Sequence, residues 1–191
     1  MRGHPLGSDR GAAVVHVRSA LPVPPSPAHS DTRPPGRART ALRSYGSVGG
    51  MTTDSDHRGV RIERIGPCRY IASNDHGGQI TVGAGAGTDF TPVELLLTAI
   101  GGCTSIDVDI LTSRRAEPDA FEVLVDAEKV RDEGGNRLTD LLVTFRVSFP
   151  EGEAGDRARE ILPDAVKKSH DRLCTVSRTV ELGAPIATRI E

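Results

Sequence analysis

The strongest constraint in this chain is a helix start that can be read residue by residue. Thr91, Pro92, Val93 and Glu94 stand directly before a long apolar run. Thr91 suits an N-cap, because its hydroxyl can accept an otherwise unpaired backbone N–H. Pro92 at the next position loses nothing by lacking its own N–H. Glu94 at the third helical position can reach back to the cap and close a capping box. Leu95, Leu96, Leu97, Ala99, Ile100, Cys103, Ile106, Ile110 and Leu111 then recur at helical spacing towards Ser113 and Arg115. This predicts a largely buried helix of roughly six turns. Gly101 and Gly102 weaken it by about 1 kcal/mol each, a cost that fits a close crossing by another element. Thr98 and the two glycines also break the run short of the roughly 18 residues needed to span a bilayer, so no membrane span is expected.

Strand signals lie on both sides of that helix. Val60 to Ile65 alternates apolar and polar residues, Arg69 to Ala72 and Gln79 to Val82 follow, and Gly66-Pro67 and Asn74 to Gly78 separate them. The spacing predicts an antiparallel meander. Phe121 to Asp126 and Asp140 to Phe149 read as a long hairpin turning at Asp132 to Asn136. Residues 154–173 return to helical period, with Pro163 expected to bend or split the helix. Thr175 to Val180 and Ile186 to Ile190 read as short closing strands or extended ends. The order βββ-α-ββ-α-β(β) predicts an α+β domain, a helix-covered antiparallel sheet. Gly83 to Gly87 has no Lys and no strand-loop-helix fingerprint, so it reads as an approach to the helix and not as a phosphate loop.

Composition divides the chain. Residues 1–50 hold seven of the thirteen prolines and seven Arg against Asp9 and Asp31, without a lasting period of 2 or 3.6. Such a segment buries too little to offset its ordering entropy. Two alternatives stand for residues 1–57: a disordered tail, or an upstream extension of the frame with the native start at Met51. The domain itself is placed at residues 58–191. Beyond residue 50 there are 17 basic against 24 acidic residues. That balance speaks against nucleic acid, whose phosphates need cationic partners.

Cys68, Cys103 and Cys174 are the only cysteines. They are too few for a disulfide scaffold and include no C-x-x-C, which suggests free thiols in a reducing cytoplasmic setting. Ala99, Ile100, Ile106 and Ile110 place Cys103 on the apolar face of the first long helix. Two readings of Cys103 fit: an inert small hydrophobe, or a nucleophile. Mid-helix, it lacks the N-terminal dipole that lowers a thiol pKa, so a reactive Cys103 requires a cation from another element or subunit. His170 lies four residues before Cys174, which allows either a Cys-His nucleophile or a surface His beside a buried helix-end thiol. A cysteine hydrolase on that pair would also need an oxyanion hole and an orienting group, and no candidate stands out. Metal binding by Cys103, Cys174 and His170 lacks clustered spacing; no metal or cofactor is expected. Cys68 reads as incidental.

The run from Phe90 through Glu94 to Cys103, Thr104 and Ser105, paired with Ser169 to Cys174 and on to Ser177, resembles the OsmC/Ohr family of thiol-dependent peroxidases, in its OsmC-like branch. The likeness covers roughly residues 60–191. It implies an OsmC-like fold, with antiparallel sheets wrapped around central helices in an intertwined homodimer. It implies a peroxidatic Cys103, a resolving Cys174, an activating Arg and a Glu that holds it. Glu94 and Arg69 are the candidates, with Arg64 as a second choice of Arg. By the same resemblance the substrate is a small organic hydroperoxide, or hydrogen peroxide, and the reductant a dithiol such as a lipoyl-type group. The alternative is a non-catalytic OsmC-like dimer binding a small ligand or thiol. Two departures bear on this. The Glu of the organic hydroperoxide enzymes directly follows the helix-start Pro, where this chain has Val93. Thr175 stands where they have Pro.

Overall fold

The computed structural model describes residues 12–18 and 57–191. Strands β2 (Arg61–Gly66), β3 (Arg69–Ser73) and β4 (Gln79–Val82) form the expected antiparallel meander. Helix α1 (Pro92–Thr112) follows, then β5 (Ala120–Asp132) and β6 (Gly135–Ser148), α2 (Glu153–Lys168), a π-helical turn (Ser169–Leu173) and α3 (Thr175–Leu182). The hairpin is longer than the sequence pattern indicates. Its strands pair down to Asp132 opposite Gly135, and Gly135 adopts φ 114° at the tight end, a conformation open to glycine.

Four expectations are corrected. A strand, β1 (Ala12–Arg18), precedes the meander and runs antiparallel along β6 from Ser148 to Leu142. Val14, Val15 and Val17 are β-branched and favour an extended chain, and Val15 packs on the core. The reading of the first fifty residues as lacking any element therefore fails at 12–18. Residues 1–11 and 19–56, with Met51, lie outside the described residues. Second, Thr175–Leu182 is a helix and not a strand, closed by Gly183 in the left-handed conformation. Residues 186–190 form no strand. Third, α2 runs unbroken through Pro163. Its buried face of Ala158, Leu162, Ala165 and Val166 outweighs one missing backbone bond. Fourth, α1 is by length and composition apolar enough to cross a membrane, with a mean hydropathy of 1.5. Here it packs on β5, α2, the π-turn and α3.

The core lies between the β5–β6 hairpin and α1 and α2. Val108, Phe145, Val147, Phe149, Ala158, Leu162, Ala165 and Val166 are buried together. Phe121 meets Phe145 edge to face at 6.2 Å, a favoured aromatic geometry. Hydroxyls on α1 are satisfied within the helix: Thr112 Oγ1 donates to the Val108 carbonyl at 2.9 Å and Ser105 Oγ to that of Gly101 at 2.6 Å. The meander forms a second sheet, joined to the start of α1 by the Val82–Phe90 bridge.

Candidate functional site

The capping box sets where α1 begins. The Thr91 side chain accepts the Glu94 N–H at 3.2 Å, and the Glu94 carboxylate accepts the Thr91 N–H at 2.7 Å and its hydroxyl at 2.9 Å. Glu94 is thus used by its own helix. The two bonds from Thr91, backbone first, hold its carboxyl below the usual range. Arg69 donates to Asp89 at 2.7 Å, and that bond raises its pKa further. Within one chain Glu94 and Arg69 are therefore engaged with other partners and do not clamp each other.

Two turns of α1 beyond the cap region, Gly101 lies against β5. A Cβ on Gly101 would come 2.6 Å from Val125 Cγ2, so the close approach is helix to sheet. Gly102 faces open space, and a Cβ added there would meet nothing within 4 Å. Within one chain the close crossing expected at this pair is made by β5 at Gly101 alone.

Cys103 is half-buried and Cys174 fully buried, and both are free thiols. The fold brings them close enough for Cys174 to act directly on the Cys103 thiol. Cys174 has an extended backbone and is the N-cap of α3. Its sulfur accepts the Ser177 N–H at 3.3 Å, and its S–H donates to Ser177 Oγ at 3.1 Å. The backbone N–H of Val176, the next residue but one, favours the Cys103 thiolate. Both sulfurs therefore sit at the positive end of the same short helix, where backbone N–H groups favour negative charge. The dipole that Cys103 lacks from its own helix is supplied by another.

That help is outweighed. Burial pushes the Cys103 thiol up, the Val176 N–H opposes this, and the neighbouring Cys174 and Asp107 push it up further. No arginine is among the groups acting on it. In the single chain Cys103 is held as a thiol.

Three more residues complete the surroundings. Asp107, one turn after Cys103, accepts the Ser169 hydroxyl at 2.8 Å; sequence reading gave neither a place in the site, although their spacing from the two cysteines was the available signal. His170 faces Glu181 at 3.7 Å, while Cys174 is bonded to Ser177. The Cys174–His170 nucleophile pair is thus not assembled. Ile100, Leu141, Val143, Val180, His170, Ser177 and Glu181 line an apolar cleft that reaches the Ser177 edge of the site. Cys68 lies exposed and apart in the β2–β3 turn with φ 53°. Among the described residues no three His, Cys, Asp or Glu side chains gather as metal ligands.

The comparisons with known proteins converge. The family model described as OsmC-like protein matches residues 85–189. An uncharacterized protein of Mycobacterium tuberculosis is 28% identical over 126 residues, which is 65% of this chain and 90% of its own. The fold is similar to an OsmC-like protein of unknown function from Vibrio cholerae, with a TM-score of 0.51 at 12% identity, covering 66% of this chain and 94% of that one. It is also similar to an OsmC-like protein of Mycoplasma pneumoniae, with a TM-score of 0.50 at 13% identity, covering 66% and 89%. At such identities the two structures speak for the fold alone. The family match spans more than half of the sequence and takes in both cysteines of the site, and the chain belongs to the OsmC-like protein family.

Proposed function

We propose that this chain is a thiol peroxidase that reduces organic hydroperoxides, and hydrogen peroxide, as a homodimer. The observation that carries the reading is the pair of free thiols in mutual reach at the N-terminus of α3. The Cys103 thiolate attacks the terminal peroxide oxygen and the O–O bond breaks. The leaving alkoxide takes a proton and departs as alcohol, or as water from hydrogen peroxide. Cys103 is left as a sulfenic acid. The Cys174 sulfur attacks it, and the pair becomes a disulfide with loss of water. A dithiol, such as a lipoyl-type group, then reduces that disulfide and is itself oxidised to a disulfide.

The thiolate requires a cation, and the second copy is proposed to bring it. The β2–β4 sheet and the residue leading into it leave Val60, Ile62, Ile65 and Ile80 exposed, and α1 leaves Val93, Leu96, Ile106 and Ile110 exposed. Covering those faces with a second copy accounts for them. It also carries the β3 residue Arg69 towards the partner's site, where Glu94 can share its carboxylate.

The test is rapid mixing with a small organic hydroperoxide. The wild-type protein is expected to oxidise in a fast phase ending in a Cys103–Cys174 disulfide. Cys103→Ser should abolish the fast phase. Cys174→Ser should keep it and stop at a sulfenic acid that dimedone traps. A wild-type protein that consumes no peroxide while both thiols persist would refute this reading.

Three observations favour a second reading. Cys103 is pushed up, Arg69 is tied to Asp89 and Glu94 to its cap. These suit a dimer that binds a small apolar ligand or thiol in the cleft beside Ser177 without turning it over.

A further inference from the structure

We propose that Asp107 is a positioning residue of the two-cysteine site, acting through Ser169 to hold the turn that carries Cys174 against the helix that carries Cys103. Two hydrogen bonds make the link. Ser169 Oγ donates to Asp107 Oδ2 at 2.8 Å, and the Ser169 carbonyl accepts the Cys174 N–H at 2.9 Å. Ser169 is fully buried, so its hydroxyl has no water to fall back on if Asp107 is lost. It opens the π-helical turn, and Cys174 closes it. Such turns are uncommon, have an extra residue per hydrogen-bonded ring and recur at functional sites. Here the turn re-aims the chain so that Cys174 ends one helix and caps the next. The clamp therefore fixes one end of that turn to α1, one helical turn from Cys103.

The functional meaning of the clamp rests on the reading that Cys174 resolves Cys103. Condensation needs the Cys174 sulfur in line with the oxidised Cys103 sulfur, and a displacement of about 1 Å in such a step costs about a hundredfold in rate. Asp107 has a second effect that the test must separate. Its charge, with that of Cys174 when ionised, opposes the thiolate, while the Val176 N–H favours it.

The experiment uses the full chain in a Cys68→Ser background, so that only the two site thiols report. Diamide drives disulfide closure; its N=N bond accepts two electrons and two protons as Cys103 and Cys174 join. Closure is followed by mass spectrometry. Alkylation of Cys103 by iodoacetamide is measured against pH in parallel, and circular dichroism establishes that each variant is folded. Asp107→Ala and Ser169→Ala are expected to close about a hundredfold more slowly, with Cys103 alkylation not slowed. Asp107→Asn retains an oxygen acceptor for Ser169. It should close within about threefold of wild type while its alkylation profile moves to lower pH. If Asp107→Ala does not fold, Ser169→Ala and Asp107→Asn carry the comparison. Wild-type closure rates in Ser169→Ala, or closure in Asp107→Asn that is slowed a hundredfold, would overturn the clamp. A protein that closes with diamide in this pattern yet consumes no hydroperoxide supports the clamp and removes the peroxidase reading.

Discussion

Cys103 shows how opposed effects decide a single residue. Its burial and its two acidic neighbours outweigh one backbone N–H, so its thiol is held above the ordinary value. The folded chain then binds that proton more tightly than the unfolded chain does. The resulting stabilisation is complete below the unfolded thiol pKa, about 8.5, and is lost as pH rises through the higher folded value. Urea unfolding from pH 7 to 10 should therefore show the wild-type protein losing more stability than Cys103→Ser above about pH 8.5, when the chain is kept monomeric by dilution. In the assembled dimer the proposed partner Arg69 should lower the alkylation midpoint of Cys103. Arg69→Ala should raise it again, each unit meaning a tenfold loss of thiolate at neutral pH. The position of Cys103 on an apolar helical face is legible from its neighbours. Its environment is only partly so: Asp107 follows one turn along the same helix, but Val176 and Cys174 come to it from the start of α3.

At the scale of elements, α1 is readable because its signals are local. Thr91, Pro92 and Glu94 act within one turn, and the capping box forms as the sequence indicates. The meander and the hairpin are legible for the same reason. Helix α3 reads as a strand because Thr175, Val176, Thr179 and Val180 are β-branched. The better signals are Cys174 as an unusual N-cap and Gly183 just past the end. The paired glycines give an element-level prediction. Gly101→Ala forces a methyl into Val125 and should cost about 1–3 kcal/mol by thermal or urea unfolding. Gly102→Ala meets nothing within one chain and should stabilise a monomer by up to about 1 kcal/mol through helix propensity. If two copies of α1 cross at Gly102, the same substitution instead lowers dimer affinity, which equilibrium sedimentation reads directly.

Across the whole molecule, the described residues form two sheets, β1-β6-β5 and β2-β3-β4, and the second leaves its apolar side chains open. A dimer that covers them should be broken by Ile106→Glu, since Ile106 is 63% exposed on α1 and does not belong to the core of its own chain. The expected result is a shift from dimer to monomer in sedimentation, with the Cys103–Cys174 disulfide still closable by diamide and the fast peroxide phase lost. A monomeric wild-type protein with an undiminished fast phase would speak against the shared site. By itself the sequence determined the capped α1, the meander, the hairpin and the α+β class, because these follow from propensities and contacts a few residues apart. It also marked Cys103 and Cys174 through a family resemblance, without showing what surrounds them. Only the tertiary structure decided that α3 aims its N-terminus at both sulfurs, that β1 lies along β6, and that Arg69 is bound to Asp89 within one chain. Those outcomes depend on contacts between distant segments, which no local pattern of residues encodes.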